Sequence, residues 1–293
     1  MTFLSLVDDC KLVTGDAAMG SQLIAHGLAT DVPGELWNID NAEVIQRIQR
    51  QYVEAGAQYL ITNTFAGNPI SLARHDLKAR TEEINEAAVN NARKAGDADT
   101  VIIGDIGPSG QLIEPFGTLT KDEAQSAFET QARALERAGV DALLAETFES
   151  ISELRLALNA ARNATDLPIM ASMKFNAQDD GEYRSVMGDA PADLVQLAEN
   201  AELSVIGSNC GQTIKTMVGL VKHLTDLTDL PIIAQPNAGK PRLEGEKTVY
   251  DEDAETFAEH VPSLYEAGAN IIGGCCGTTP AHVEAIRSFA DSL

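Results

Sequence analysis

The sequence predicts an α/β protein folded as a (β/α)8 or TIM barrel, a single domain covering residues 1–293. Three observations lead there. Eight short runs of the chain are near-continuously apolar, which suits strands buried on both faces of a parallel sheet. Each run is followed by a stretch with apolar residues every three or four positions, the period of an amphipathic helix. No linker rich in Pro, Gly or Ser divides the chain, and barrels of this kind commonly occupy about 250 residues. A doubly wound open sheet is the weaker alternative.

In chain order the strands are read at "KLVTGD", "QYLITNTF", "TVIIGDIG", "DALLAETF", "PIMASMKF", "LSVIGSNC", "PIIAQPN" and "NIIGGCC". The helices between them include "NAEVIQRIQRQYVEAG", "EEINEAAVNNARKAG", "KDEAQSAFETQARALERAG" and "SISELRLALNAARN". Gly56, Gly96 and Gly139 stand where such helices stop, because a terminal left-handed residue is easiest for glycine. Thr120 with Glu123 three residues later forms a capping box, and Thr279 followed by Pro280 places an N-cap before a proline at the first helical position.

Charge narrows the partners. Lys and Arg number 21 against 44 Asp and Glu, a net charge of −23, the wrong sign for nucleic acid or an anionic membrane. The acidic residues are spread along helical segments such as "TEEINEAAVNN" and "YDEDAETFAEH", as on a solvated surface. The opening "MTFLSLVDDC" has no basic region and reaches Asp8 and Asp9 before an apolar stretch of signal-peptide length, so the expected location is cytoplasmic. Thiols stay reduced there, and the four cysteines read as core, metal or catalytic residues before disulfides.

Active sites of (β/α)8 barrels lie where the strands end and the βα loops begin. At those positions the sequence places Asp16, Asn63, Thr64, Asp105, Glu146, Asn209, Cys210, Asn237, Cys275 and Cys276. Strands six and eight are next-but-one neighbours, so at about 4.8 Å per strand their ends lie about 10 Å apart, a gap that inward side chains can close. Cys210, Cys275 and Cys276 thereby become candidate ligands to one ion. Three thiolates select zinc over magnesium or calcium and leave a fourth tetrahedral position open, as in catalytic zinc sites. The chemistry suited to such a centre is alkylation of a bound substrate thiol, because three thiolates make the ion a weak activator of water while a sulfur ligand stays nucleophilic. Gly207, Gly211, Gly273, Gly274 and Gly277 allow tight backbone turns around the ion. Cys10 reads as an ordinary buried residue.

"TGDAAMGSQL", "EAGAQYLITNTFAGN", "GDIGPSG", "AETFESISE", "SNCG", "QPNAGKP" and above all "GGCCGTTPAH" resemble the zinc-dependent homocysteine S-methyltransferases. That family includes betaine–homocysteine methyltransferase and the homocysteine module of cobalamin-dependent methionine synthase, and the resemblance runs along essentially the whole chain. It implies the same barrel, zinc on Cys210, Cys275 and Cys276, homocysteine sulfur in the open position, and Asp16 and Glu146 binding the homocysteine amino group.

The donor implied is an onium compound such as betaine, bound against an aromatic face. The only tryptophan, Trp37 in "PGELWNID", is the aromatic candidate, read as part of a long loop after strand one. The alternative donor is a methylated corrinoid. No Asp-x-His-x-x-Gly signature for a corrinoid domain occurs in the sequence, so that donor is expected on a separate protein. A thiol-based redox sensor would use the same cysteines without catalysis, but it leaves the polar ring unexplained. A zinc hydrolase would need histidines at strand ends, and none of the five falls there. Self-association into a homo-oligomer stays open.

Overall fold

The computed structural model describes residues 2–29, 31–245 and 247–293. Eight parallel strands form the barrel: β1 (Val13–Thr14), β2 (Tyr59–Ile61), β3 (Val101–Ile106), β4 (Ala142–Phe148), β5 (Ile169–Met173), β6 (Val205–Thr213), β7 (Ile232–Asn237) and β8 (Ala269–Ile272). Their order around the sheet is β1-β8-β7-β6-β5-β4-β3-β2. The seam between β1 and β2 is closed by two residues. Gln58 donates its backbone N–H to Thr14 O at 2.9 Å, and its side-chain Oε1 accepts from Thr14 N at 2.9 Å. Further up the same seam Asp16 Oδ2 accepts from Ile61 N at 2.7 Å.

The apolar residues divide into two cores. Inside the barrel Val13, Tyr59, Ile103, Leu144, Met170, Val205, Ile233 and Ile271 pack on one another, with Phe3 and Leu6 of the helix Phe3–Asp9 joining them. The larger core lies between the sheet and the surrounding helices. That outer layer comprises α1 (Ala42–Glu54), α2 (Thr81–Ala95), α3 (Lys121–Ala138), α4 (Ile151–Ala164), α5 (Pro191–Ala201), α6 (Ile214–Thr225), α7 (Val261–Glu266) and α8 (Pro280–Asp291).

Helix α3 illustrates the local logic. Its first turn is held by reciprocal bonds between Thr120 and Glu123, at 3.3 Å to Glu123 N and 3.1 Å from Thr120 N. Ala124, Ala127, Phe128, Gln131, Ala132 and Leu135 form its buried stripe, and Gly139 ends it at φ +90°. Gly56 has φ +104°, as expected of a stop. Gly96 departs from expectation, because its φ of −71° needs no glycine. The first strand is shorter than the run 11–16, since beyond Thr14 the chain keeps one ladder bond, Gly15 N to Ile272 O at 2.8 Å, and then turns. Strand β8 stops at Ile272, so Cys275 and Cys276 lie in the turn beyond it.

Candidate metal centre and active-site cavity

The sulfurs of Cys210, Cys275 and Cys276 lie within 4.8 Å of one another, and Cys210 Sγ is 4.0 Å from Cys276 Sγ. Two irregularities of the barrel bring them together. Strand β6 continues to Thr213, but its register with β7 breaks between Asn209 and Thr213. Cys210 occupies that bulge at φ +59°, where the sequence reading had placed it at a plain strand end. The turn after β8 is tied down on two sides. Gly274 N donates to Asp16 O at 2.9 Å, Cys275 N to Pro236 O at 2.8 Å, and Cys276 O accepts from Ala238 N at 3.0 Å. A Cβ at Gly277, which has φ +83°, would strike the Tyr250 ring at 2.3 Å.

The trio behaves as one titrating unit. Hydrogen bonds from Cys275 and then Cys276 hold the Cys210 thiol well below its ordinary value, while the same bond to Cys210 pushes Cys275 up. Beside them the buried side chain of Asn237 has an Oδ1 with no partner among the described residues. Three soft ligands with an orphaned oxygen beside them suit an ion. Cys10 stands apart, accepting a bond from Gln58 Nε2 at 3.3 Å beside the inner core.

A cavity of about 470 Å³ opens from the sulfurs. Four carboxylates line it: Asp16, Glu35, Asp105 and Glu146. Asp16 and Asp105 are each 3% exposed and Glu35 is 6%. Burial raises Asp16 and Asp105 well above the usual carboxylate range and raises Glu35 as well. Burial, helped by the charge on Cys210, lifts Glu146 to about 7. Asp16 is anchored by Ile61 N and Glu35 by Ala66 N at 2.7 Å, whereas Asp105 Oδ1 has no partner among the described residues. Met19, Leu23, Ile24, Leu28 and Phe65 add apolar surface to the lining. No Lys, Arg or His lines the cavity among the described residues.

Asp16, Glu146 and the three cysteines therefore meet at one cavity. Trp37 does not join them. It begins the short helix Trp37–Asp40, half-buried against the core between sheet and helices, and is absent from the cavity wall. Its neighbours turn inward instead: Asn38 Nδ2 donates to Asn63 O at 2.8 Å and Asn63 Nδ2 to Gly34 O at 2.9 Å. Glu35, Thr147 and Phe65 are cavity residues that sequence reasoning did not select. Phe65, at the end of "TNTF", carried a visible signal; Glu35, in an aperiodic loop, carried none. No described helix is long and apolar enough to cross a membrane.

The family model for homocysteine S-methyltransferase matches residues 13–290. Methionine synthase of Mycobacterium tuberculosis is 29% identical over 304 residues, covering 97% of this chain and 25% of that protein. Its Mycobacterium leprae counterpart is 28% identical over 296 residues, covering 95% and 24%. The chain thus spans about a quarter of the length of these relatives. The homocysteine methyltransferase MmuM from Escherichia coli in its metallated form superposes with a TM-score of 0.80 at 25% identity, over 97% of this chain and 98% of that one. Its oxidised form gives 0.79 at 26%, with the same coverage.

Proposed function

The chain belongs to the homocysteine S-methyltransferase family, and from that premise we propose that it moves a methyl group from an onium donor to the thiol of homocysteine, giving methionine. One observation carries the reading: three sulfurs open onto a cavity lined by four carboxylates and by apolar side chains, and free of basic side chains among the described residues. The ion proposed for Cys210, Cys275 and Cys276 is zinc. Tetrahedral geometry with Zn–S of about 2.3 Å puts sulfurs about 3.8 Å apart, close to the 4.0 Å between Cys210 and Cys276. Bound there, zinc lowers the pKa of an incoming thiol and keeps its sulfur a nucleophilic thiolate.

The protein's own groups do the rest. Asp16 and Glu146 take the homocysteine ammonium, which draws the raised carboxylates back into their ionised form. Asp16 is fixed for this by Ile61 N. A cationic donor answers the remaining acidic wall at Asp105 and Glu35, and Phe65 replaces Trp37 as the aromatic face beside it. Met19 and Leu23 keep water from the reacting sulfur. A sulfur lone pair forms the new S–CH3 bond while the bond from that methyl to the onium atom breaks. Its electron pair stays with the leaving amine or sulfide, which departs neutral, so no general acid is required. Reduced thiols fit a cytoplasmic setting.

A second reading, a methylcorrinoid carried by another protein, is favoured by the likeness to methionine synthases along 97% of this chain. The two readings separate in one experiment. Zinc-loaded protein is incubated with homocysteine and, in separate tubes, betaine, S-methylmethionine, a dimethylsulfonium compound and methylcobalamin, and methionine is measured. Turnover with one onium compound is expected. Turnover with methylcobalamin alone supports the second reading, and a protein that retains zinc but neither binds homocysteine nor forms methionine sinks both.

A further inference from the structure

Glu146 and Thr147 are consecutive, yet both line the cavity. A regular strand sends neighbours to opposite faces. The exception is made by a bulge: β4 pairs with β5 at Ala145↔Ala171 and again at Phe148↔Met173, so Glu146 and Thr147 together face the single residue Ser172. Thr147 carries the cost, with φ +61°. For a β-branched residue that is a genuine outlier, and such strain persists only where the surroundings over-determine it.

The restraint is Asn209. Its Oδ1 accepts from Thr147 N at 2.9 Å and from Ser172 Oγ at 2.7 Å, and its Nδ2 donates to Thr147 Oγ1 at 2.5 Å. Asn209 is fully buried and immediately precedes Cys210, where β6 has its own bulge against β7. One amide therefore fastens the β4 bulge to β5 from the residue at which the β6 bulge begins. One presents a sulfur and the other presents Glu146.

We propose that Asn209 is a positioning residue that holds Thr147 in the left-handed conformation, aims Glu146 into the cavity, and couples the substrate's ammonium site to the sulfur site. This rests on the reading that Glu146 binds the homocysteine ammonium. Without the amide, Thr147 relaxes towards negative φ and the two-against-one register that turns Glu146 inward is lost. Glycine at 147 has no Cβ and holds positive φ without a clamp.

The test uses zinc-loaded wild type, Asn209→Ala, Thr147→Val and the double variant Asn209→Ala with Thr147→Gly. Zinc per chain is measured alongside homocysteine affinity by calorimetry. Asn209→Ala is expected to keep its zinc and weaken homocysteine at least tenfold, and the double variant to regain most of that loss. A merely structural asparagine gives no such rescue. Thr147→Val keeps the shape but removes the hydroxyl that accepts from Asn209, so it is expected to weaken homocysteine severalfold, and it decides the matter if Asn209→Ala does not fold. Homocysteine binding within twofold of wild type in Asn209→Ala, or in Thr147→Val where Asn209→Ala does not fold, overturns the clamp and leaves the proposed function standing. A double variant no better than the single does the same. A wild type that holds zinc and ignores homocysteine removes the proposed function and the clamp with it.

Discussion

Asp105 shows how much of this site depends on single side chains. It ends an apolar run, is 3% exposed and has an oxygen without a partner among the described residues. Its pKa is raised first by burial and then by the charges of Glu146, Glu35 and Asp16. The sign of the linkage follows. Below the ordinary carboxylate value of about 3.9 the group is protonated folded and unfolded, and its stabilisation of the neutral folded form is fully present. As pH rises the unfolded chain ionises first, so this contribution is lost up to the raised folded value. Asp105→Asn is therefore expected to gain in stability on wild type as pH rises from 4 to 8. Calorimetry of the ligand-free proteins at both pH values checks it, and a gap that does not widen would contradict it. The cysteines, Asp16 and Glu146 were legible because a polar or thiol group at the end of an apolar run is conspicuous. The backbone angle of Thr147 is not written in its neighbours, and Trp37 is read as an aromatic candidate from its chemistry and its place in the loop after strand one. The inward bonds of Asn38 and Asn63 anchor a segment that leaves that ring outside the cavity.

At the scale of elements, the eight apolar runs announced eight strands, and the capping box of α3 and the glycine after it set that helix's ends. The bulges in β4, two residues against one, and β6, three against one, were hidden, because register with a neighbouring strand is not written in the apolar run. They decide where Glu146 and Cys210 point. Strands β6 and β7 are further pinned by close approach at Gly207, where a Cβ would stand 1.8 Å from Ile233 O. Backbone cannot yield cheaply to that contact. Gly207→Ala is expected to destabilise the protein by at least about 1–3 kcal/mol and to weaken metal binding, since Cys210 follows on β6 and Cys275 N bonds Pro236 on β7. Denaturant unfolding and zinc titration measure the two effects, and a variant with wild-type stability would show that the strands separate freely.

Across the whole molecule, the barrel gathers at one end what the chain distributes over 293 residues. Its seam depends on Gln58 and Asp16, a closure that no periodicity reveals. The net charge of −23 argues against nucleic acid as a partner class, but the four carboxylates of the cavity could not be told from the other 40 without the fold. Everything proposed for the site rests on Cys210, Cys275 and Cys276 holding an ion whose remaining position receives the homocysteine sulfur. The most direct measurement is zinc-edge X-ray absorption of the loaded protein before and after homocysteine is added. Three sulfur neighbours at about 2.3 Å, rising to four, are expected. A sulfur count that stays unchanged on adding homocysteine, or zinc bound without sulfur, would contradict it.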